Sequence, residues 1–425
     1  MGRVKGVKAT ETGPSAVGPT VAAGSTATDW VDQDPLAPLS QALARLPAVR
    51  RRELRSFSPG GSGLLRPVDP PGADLLLDMA SNDYLGLSHH FQLREAAQAA
   101  IDAVGVGAGA SPLITGSRPV HAALEERLAA WLGRQRVLLF PSGFQANLAA
   151  VLALADRHSL VLADRLIHHS LLAGVSASGA TLQRFRHNDC ADLQRRLQIQ
   201  RQAQPRRRLL VLTESLFSME GTSPDLPAIS SLCRAYGALL LVDEAHALGV
   251  LGAGGRGLAH GLEGISLISG TFGKAFGSGG AFLAGSGVVG EWLLQSSGAF
   301  RYSTALAPPL AAAALAALEL LEAQPGMGLE LLSRASRWRD ALELAGWSRP
   351  AGQGPILPLV VGDDAAALAL QERLEGSGLL SVAIRPPTVP TGRACLRLVL
   401  RRSLPPGSLE RLLLALGPPP SGTTP

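Results

Sequence analysis

Residues 239–249 read LLLVDEAHALG. Three leucines and Val242 run into Asp243, His246 follows three residues on, and Gly249 closes the stretch. A short, wholly apolar run that stops at a turn has the character of a strand buried on both faces, and such strands belong to parallel sheets. A carboxylate at the carboxyl end of that strand stands where open α/β sheets hold their ligands. Taken alone, Asp-x-x-His also fits an Asp that caps the next segment beside a surface His. The flanking sequence has to decide.

Comparable runs recur on both sides: RVLLF (136–140), SLVLAD (159–164), RLLVLTE (208–214), ISLISG (265–270) and GAFLAG (280–285). Amphipathic stretches such as HAALEERLAAWLG and CADLQRRLQIQRQ separate several of them. Apolar strands alternating with helices predict an α/β fold with a mostly parallel sheet, seven-stranded in type, covered on both faces. From about residue 306 the texture changes to a long helix (ALAPPLAAAALAALELLEA), a second helix, strands near 355–361, 380–385 and 395–400, and a last helix near 407–416. That is a smaller α+β unit. The predicted organisation is a disordered tail over 1–35, an N-terminal helix and linker over 36–80 that packs with the small domain, a large α/β domain over 81–305, the small domain over 306–418, and a second tail over 419–425. The first 35 residues are Gly/Ala/Thr/Ser/Pro-rich and aperiodic, and Pro47 is expected to break or kink the helix predicted over 36–57.

A chain of 425 residues with 46% apolar content can bury a large core and suits two structural domains. The net charge of +5 is mild, and no basic stripe is interleaved with aromatics, so no nucleic-acid partner is expected. No apolar run approaches the roughly 18–20 residues of a membrane helix, and the N-terminus lacks the apolar core of a secretory signal. Cys190, Cys233 and Cys395 are widely spaced and give neither a disulfide framework nor a metal-ligand pattern. A cytoplasmic protein without membrane association or metal is the expectation.

Lysine usage is the sharper clue. Lys274, in SGTFGKAFGSGG (269–280), is the only lysine apart from Lys5 and Lys8, in a chain with 39 Lys plus Arg. A lysine amine can lose its proton and attack a carbonyl, while a guanidinium stays protonated. Two adjacent strand ends would bring Asp243, His246, Thr271 and Lys274 together. That set matches the needs of pyridoxal phosphate: a lysine to carry it, an acid to keep its ring nitrogen protonated, and a helix N-terminus with hydroxyls for its phosphate. LLFPSGFQANLAAVLAL supplies a strand, a turn at Pro141–Gly143 and a helix from Phe144, and Ser303 and Thr304 in RYSTALAPP offer further hydroxyls. In DRLIHHSLLAG, His168 and His169 follow a strand end, and either can stack on a cofactor ring.

Eight motifs, in order, then make the chain similar to the α-oxoamine synthase family of fold-type I pyridoxal-phosphate enzymes. They are SNDYLGLS (81–88), PSGFQAN (141–147), DRLIHHSLL (164–172), TESLFSMEG (213–221), VDEAHALGVLG (242–252), GTFGKAFG (270–277), YSTALAP (302–308) and AIRPPTVPTG (383–392). The resemblance spans roughly 36–418. Its last motif points to the branch that condenses L-alanine with a pimeloyl thioester, on coenzyme A or acyl carrier protein, releasing CO2 and the thiol. The resemblance implies that Lys274 carries the cofactor, Asp243 pairs with its ring nitrogen, and His246 and Ser218 contact its polar groups. It implies that Gly143 and Phe144 donate backbone N–H groups to the phosphate, with Thr271 adding its hydroxyl, and that His168 stacks on the ring. Asn82 and Arg397 are implied to bind the amino-acid carboxylate, and Arg55 and Thr388 to line the acyl path. Ser303 and Thr304 are implied to reach the phosphate of a partner subunit in a homodimer. Two positions depart from the family's habit: Pro112, where Arg is frequent, and Glu244, where Asp is frequent.

Overall fold

The computed structural model describes residues 34–61 and 63–419. Most of the two predicted tails, 1–33 and 420–425, lies outside the described residues. The chain divides into two compact units, one ending at Arg51 and one beginning at Arg52.

The first unit holds helix α1 (Ala37–Ala44), followed after Pro47 by a 3-10 turn at Ala48–Arg50. The helix predicted as far as residue 57 therefore stops at Ala44. It buries none of its residues and has no side-chain cap, so nothing carries it past the approaching proline.

In the second unit the chain begins with β1 (Phe57–Gly61), β2 (Leu64–Pro67) and β3 (Leu76–Asp78), then α2 (Phe91–Val104) and α3 (Pro119–Leu132). The alternating part follows: β4 (Arg136–Phe140), α4 (Gly143–Leu154), β5 (Leu160–Asp164), α5 (His169–Ser178), β6 (Thr181–Phe185), α6 (Cys190–Ala203), β7 (Leu209–Glu214), α7 (Leu226–Ala235), β8 (Leu239–Asp243), β9 (Leu267–Thr271) and β10 (Ala281–Gly285). Then come α8 (Gly287–Ser296), α9 (Gly298–Arg301), α10 (Pro308–Ala323), α11 (Met327–Leu344), β11 (Ile356–Gly362), α12 (Asp364–Gly376), β12 (Leu379–Leu380), β13 (Val382–Ile384), β14 (Ala394–Val399) and α13 (Ser408–Leu416).

Seven strands form the central sheet in the order β4-β10-β9-β8-β7-β5-β6. Six of them run in one direction, and β10 lies antiparallel to its neighbours β4 and β9. Every residue of β5 and β7 is buried, which is why both read as unbroken apolar runs. The edge strand β6, TLQRF, is half-exposed and so carried no such signal. Two smaller sheets complete the unit, β11-β14-β13 and β1-β2-β3-β12. In the latter, Leu77 of β3 pairs with Leu379 of β12, so the segment before residue 80 shares a sheet with the C-terminal part.

Register sets up the site. Glu214 and Asp243 stand abreast at the carboxyl ends of β7 and β8, and Ser269, at the middle of β9, pairs with Asp243.

Candidate active site

Lys274 sits in the turn that leaves β9. Phe272 and Phe276, both fully buried, flank it and anchor the turn in the core. Within the turn the Gly277 amide donates to the Lys274 carbonyl at 2.9 Å. Gly277 has φ +62°, and a Cβ there would stand 2.4 Å from the Ser88 amide nitrogen. Only glycine accommodates both the left-handed backbone and the passing chain.

The turn delivers the lysine to a cavity of about 200 Å³ that also exposes Gly143, Phe144, His168, Asp243, His246 and Thr271. Seven of the residues assigned to the cofactor thus meet in one place. Asp243 accepts from Asn147 Nδ2 at 2.7 Å on Oδ2 and from the Ala245 amide at 2.9 Å on Oδ1. Enclosure by the surrounding protein lowers the Lys274 amine to about 8, an effect that Asp243 and Glu214 partly oppose. Burial drives the His246 ring well below its ordinary value, and Lys274 and Arg397 push the same way. Burial likewise raises Glu214 well above the usual carboxyl range, with Asp243 adding to the effect.

The phosphate-binding end is equally local. Ser142 Oγ accepts from the Gln145 amide at 3.3 Å, and the Ala146 amide reaches the Ser142 carbonyl at 3.0 Å. Among the described residues this leaves the Gly143 and Phe144 amides as the unclaimed donors at the start of α4. A Cβ on Gly143 would stand 3.8 Å from Thr271 Cβ, so that hydroxyl-bearing side chain is the immediate neighbour.

A second cluster adjoins the first. In β14, Arg397 donates from Nη2 to Asn82 Oδ1 at 3.0 Å and from Nε to the Ser218 carbonyl at 2.6 Å. The Tyr84 hydroxyl joins the clusters, since it hydrogen-bonds Asn82 Oδ1 at 3.3 Å and His246 Nδ1 at 2.5 Å. Asn82 and Arg397, both implied to bind the amino-acid carboxylate, touch each other. The Ser218 hydroxyl is not in the cavity lining; its residue contributes a carbonyl to Arg397 instead. His168 lines the cavity, whereas His169 does not and tilts against Phe144 with ring centroids 6.4 Å apart.

Other assignments fall elsewhere. Ser303 accepts from Gln145 Nε2 at 2.6 Å, and neither it nor the exposed Thr304 lines the cavity. Arg55, implied to line the acyl path, is already paired within the chain. Its guanidinium forms a bidentate pair with Glu375 at 2.7 and 3.0 Å and lies over the Phe57 ring. A carboxylate of the chain itself already fills that fork. Thr388 is met by a different arginine, Arg52, at 3.3 Å.

Reasoning from sequence missed Asn147, Glu214 and Tyr84. Asn147 lies one helical turn from Gly143, on the same face, and Glu214 ends its strand as Asp243 ends the next. Those spacings were the available signals. The two departures are accommodated. Glu244 is fully buried, accepts from the Ala259 amide at 2.6 Å and is raised to about 7 by burial. Pro112 opens a π-turn at Pro112–Gly116, next to which the Ala305 amide donates to the Ala110 carbonyl.

The family described as aminotransferase class I and II matches residues 75–416, and the chain belongs to it. The chain is 43% identical over 345 residues to 8-amino-7-oxononanoate synthase of Pseudomonas putida, covering 80% of this chain and 87% of that protein. It is 42% identical over 378 residues to the synthase of the same name from Stutzerimonas stutzeri, covering 88% and 95%. Among solved structures, Sphingomonas wittichii serine palmitoyltransferase superposes with TM-score 0.83 at 26% identity, covering 90% of this chain and 97% of that one. The 8-amino-7-oxononanoate synthase of Francisella tularensis superposes with TM-score 0.68 at 27% identity, covering 80% and 96%.

The cofactor is pyridoxal 5′-phosphate, and the residues present fit it. A depressed lysine amine, a hydrogen-bonded carboxylate and free helix amides share one cavity, and the buried Asn147 Oδ1 there has no partner.

Proposed function

We infer that this chain catalyses the decarboxylative condensation of L-alanine with a pimeloyl thioester, giving 8-amino-7-oxononanoate, CO2 and a free thiol, a step of biotin biosynthesis. The observation that carries the chemistry is Lys274, lowered to about 8 in one cavity with Asp243 and the free end of α4. The choice of substrates is supported by the relatives of that name, 42–44% identical over most of the chain.

Pyridoxal phosphate, when bound, supplies an electron sink for the pair left at the Cα of an amino acid. The chain's own groups do the rest. Asp243 would hold a proton on the ring nitrogen, and Asn147 and the Ala245 amide keep its carboxylate aimed. Gly143, Phe144 and Thr271 would hold the phosphate, and His168 would cover the ring. Arg397, oriented by Asn82 and the Ser218 carbonyl, takes the amino-acid carboxylate. The Lys274 amine, poised near neutrality, removes the Cα proton and later returns one.

We assign the chain to a homodimer. The Ala110–Ala305 contact places two segments side by side, and Ile114, Tyr302 and Leu310 are exposed along them. A second copy would cover this apolar face and receive Ser303 and Thr304. Three free thiols suit a reducing, cytoplasmic setting. The test is thiol release from pimeloyl-CoA and pimeloyl-acyl carrier protein, each with alanine, glycine and serine. Release that is selective for alanine and pimeloyl is expected; selectivity for glycine or serine refutes the alanine assignment.

A further inference from the structure

A second constellation lies away from the cavity. His187 sits between a carboxylate and a hydroxyl, with Nδ1 2.9 Å from Asp164 Oδ1 and Nε2 2.8 Å from Thr222 Oγ1. Asp164 is fully buried at the end of β5, and its oxygens also accept from the Leu166 and Asn188 amides. Asn188 takes φ +54°, the one non-glycine residue with positive φ among those described, and donates to the Ser223 carbonyl at 3.2 Å. The His187 ring meets Phe217 edge-on, with centroids 4.5 Å apart. A carboxylate only accepts, so Nδ1 carries a proton, while Nε2 faces the threonine hydroxyl and, at 3.2 Å, the Asn188 side-chain amide nitrogen.

What this geometry holds is a loop. The Phe217 amide donates to the Thr222 carbonyl and the Gly221 amide to the Phe217 carbonyl, both at 2.9 Å, closing the segment around Ser218. On its far side the loop presses on β11, where a Cβ on Gly221 would stand 2.6 Å from the Ile356 carbonyl oxygen. Between these supports the Ser218 carbonyl points at Arg397 Nε.

We propose that His187 is a positioning residue for amino-acid binding: bridging Asp164 to Thr222, it fixes the Phe217–Thr222 loop so that the Ser218 carbonyl orients Arg397. The inference rests on the reading of Arg397 as the carboxylate anchor. Hydrogen bonding of this kind, acting through one intermediate group, is worth about three- to tenfold in affinity.

The experiment compares the holoenzyme with Thr222→Val, His187→Ala and His187→Gln. Valine keeps the shape of threonine and removes only the hydroxyl. Glutamine offers a donor and an acceptor with nearly the spacing of the ring nitrogens. Binding is measured by equilibrium dialysis with labelled L-alanine, or with glycine or serine if the wild type binds those instead, so that a wrong substrate assignment is seen separately in the wild type. Thr222→Val and His187→Ala should weaken amino-acid binding about three- to tenfold, raise its KM in step, and leave kcat and the thioester KM within about twofold. His187→Gln should restore most of the loss. Unchanged amino-acid affinity in Thr222→Val overturns the proposal. So does a parallel decline of kcat, both KM values and thermal stability that glutamine fails to rescue, since that is the pattern of general structural damage.

Discussion

Replacing Asp243 with Asn tests the centre of the site, because the structure separates two consequences of the change. Both carboxylate oxygens of Asp243 accept from fixed donors, Asn147 Nδ2 at 2.7 Å and the Ala245 amide at 2.9 Å. An amide has one acceptor oxygen. Whichever way the introduced amide turns, its NH2 faces a donor, and one buried donor loses its partner. That orphan costs about 1–3 kcal/mol of stability. Separately, in the proposed role of Asp243, the ring nitrogen would lose the group that keeps it protonated. Removing an oriented electrostatic partner from a water-excluded site costs about 2.7–4 kcal/mol, a fall of about a hundred- to a thousandfold in kcat. The double variant Asp243→Asn/Asn147→Asp pulls the two effects apart. The new amide donates to the new carboxylate and still accepts from Ala245, while that carboxylate accepts from the Ser170 hydroxyl, to which Asn147 donates in the wild type. Thermal unfolding should return close to wild type, and thiol release should not. If the single variant keeps activity within about threefold, or the swap regains activity along with stability, Asp243 does not hold the proton on the ring nitrogen.

Lys274→Ala and Lys274→Arg should both lose thiol release and the visible absorbance of bound cofactor while remaining folded; turnover in either variant removes Lys274 from the chemistry. With its amine at about 8 rather than 10.5, apoprotein should take up pyridoxal phosphate faster as pH rises and level off above about 8. The same depression means the unfolded chain binds the proton that the folded chain has lost. Relative to Lys274→Met, apoprotein stability should therefore rise from pH 8 toward 10.5, and a flat difference would contradict the burial. Arg55→Ala breaks a surface pair with Glu375 and should change the thioester KM by less than about threefold, whereas Arg52→Ala, next to Thr388, should raise it more; the reverse order would reinstate Arg55. Glu214→Gln should keep activity within about threefold of wild type, measured beside Asp243→Asn, and an equal loss in the two would show Glu214 acting as a charge.

The parts of the fold that were legible are those where one physical demand governs each residue. Strands β5, β7 and β8 are buried on both faces or nearly so, and their apolar runs marked them to within a residue. Edge strand β6 and the helix expected to reach residue 57 were not legible in that way, since neither has burial to impose a pattern. In the site, Lys274 and Asp243 stood out because amine and carboxylate chemistry restrict the residue type. Asn147 and Glu214 act by what they touch, and a contact between α4 and the end of β8 is set by tertiary packing alone. Arg55 shows the same limit from the other side: three arginines within 51–55 look alike until Glu375, over three hundred residues away, claims one.

Two carboxyl groups stand abreast at adjacent strand ends, and the structure gives them different surroundings. Asp243 has donors on both oxygens, Asn147 Nδ2 and the Ala245 amide. Glu214 has a single donor, the His168 amide at 2.7 Å, and it is buried beside an existing negative charge. Burial and that neighbour both raise it. Like charges at this spacing disfavour one another. The cavity therefore pairs a carboxyl group held by two donors with one, bonded to the His168 amide, in which burial disfavours the charged form. Negative charge on Glu214, like that on Asp243, works against the lowering of the Lys274 amine, and burial of Glu214 disfavours that charge. An amide of the same shape should therefore replace Glu214 and should fail at Asp243.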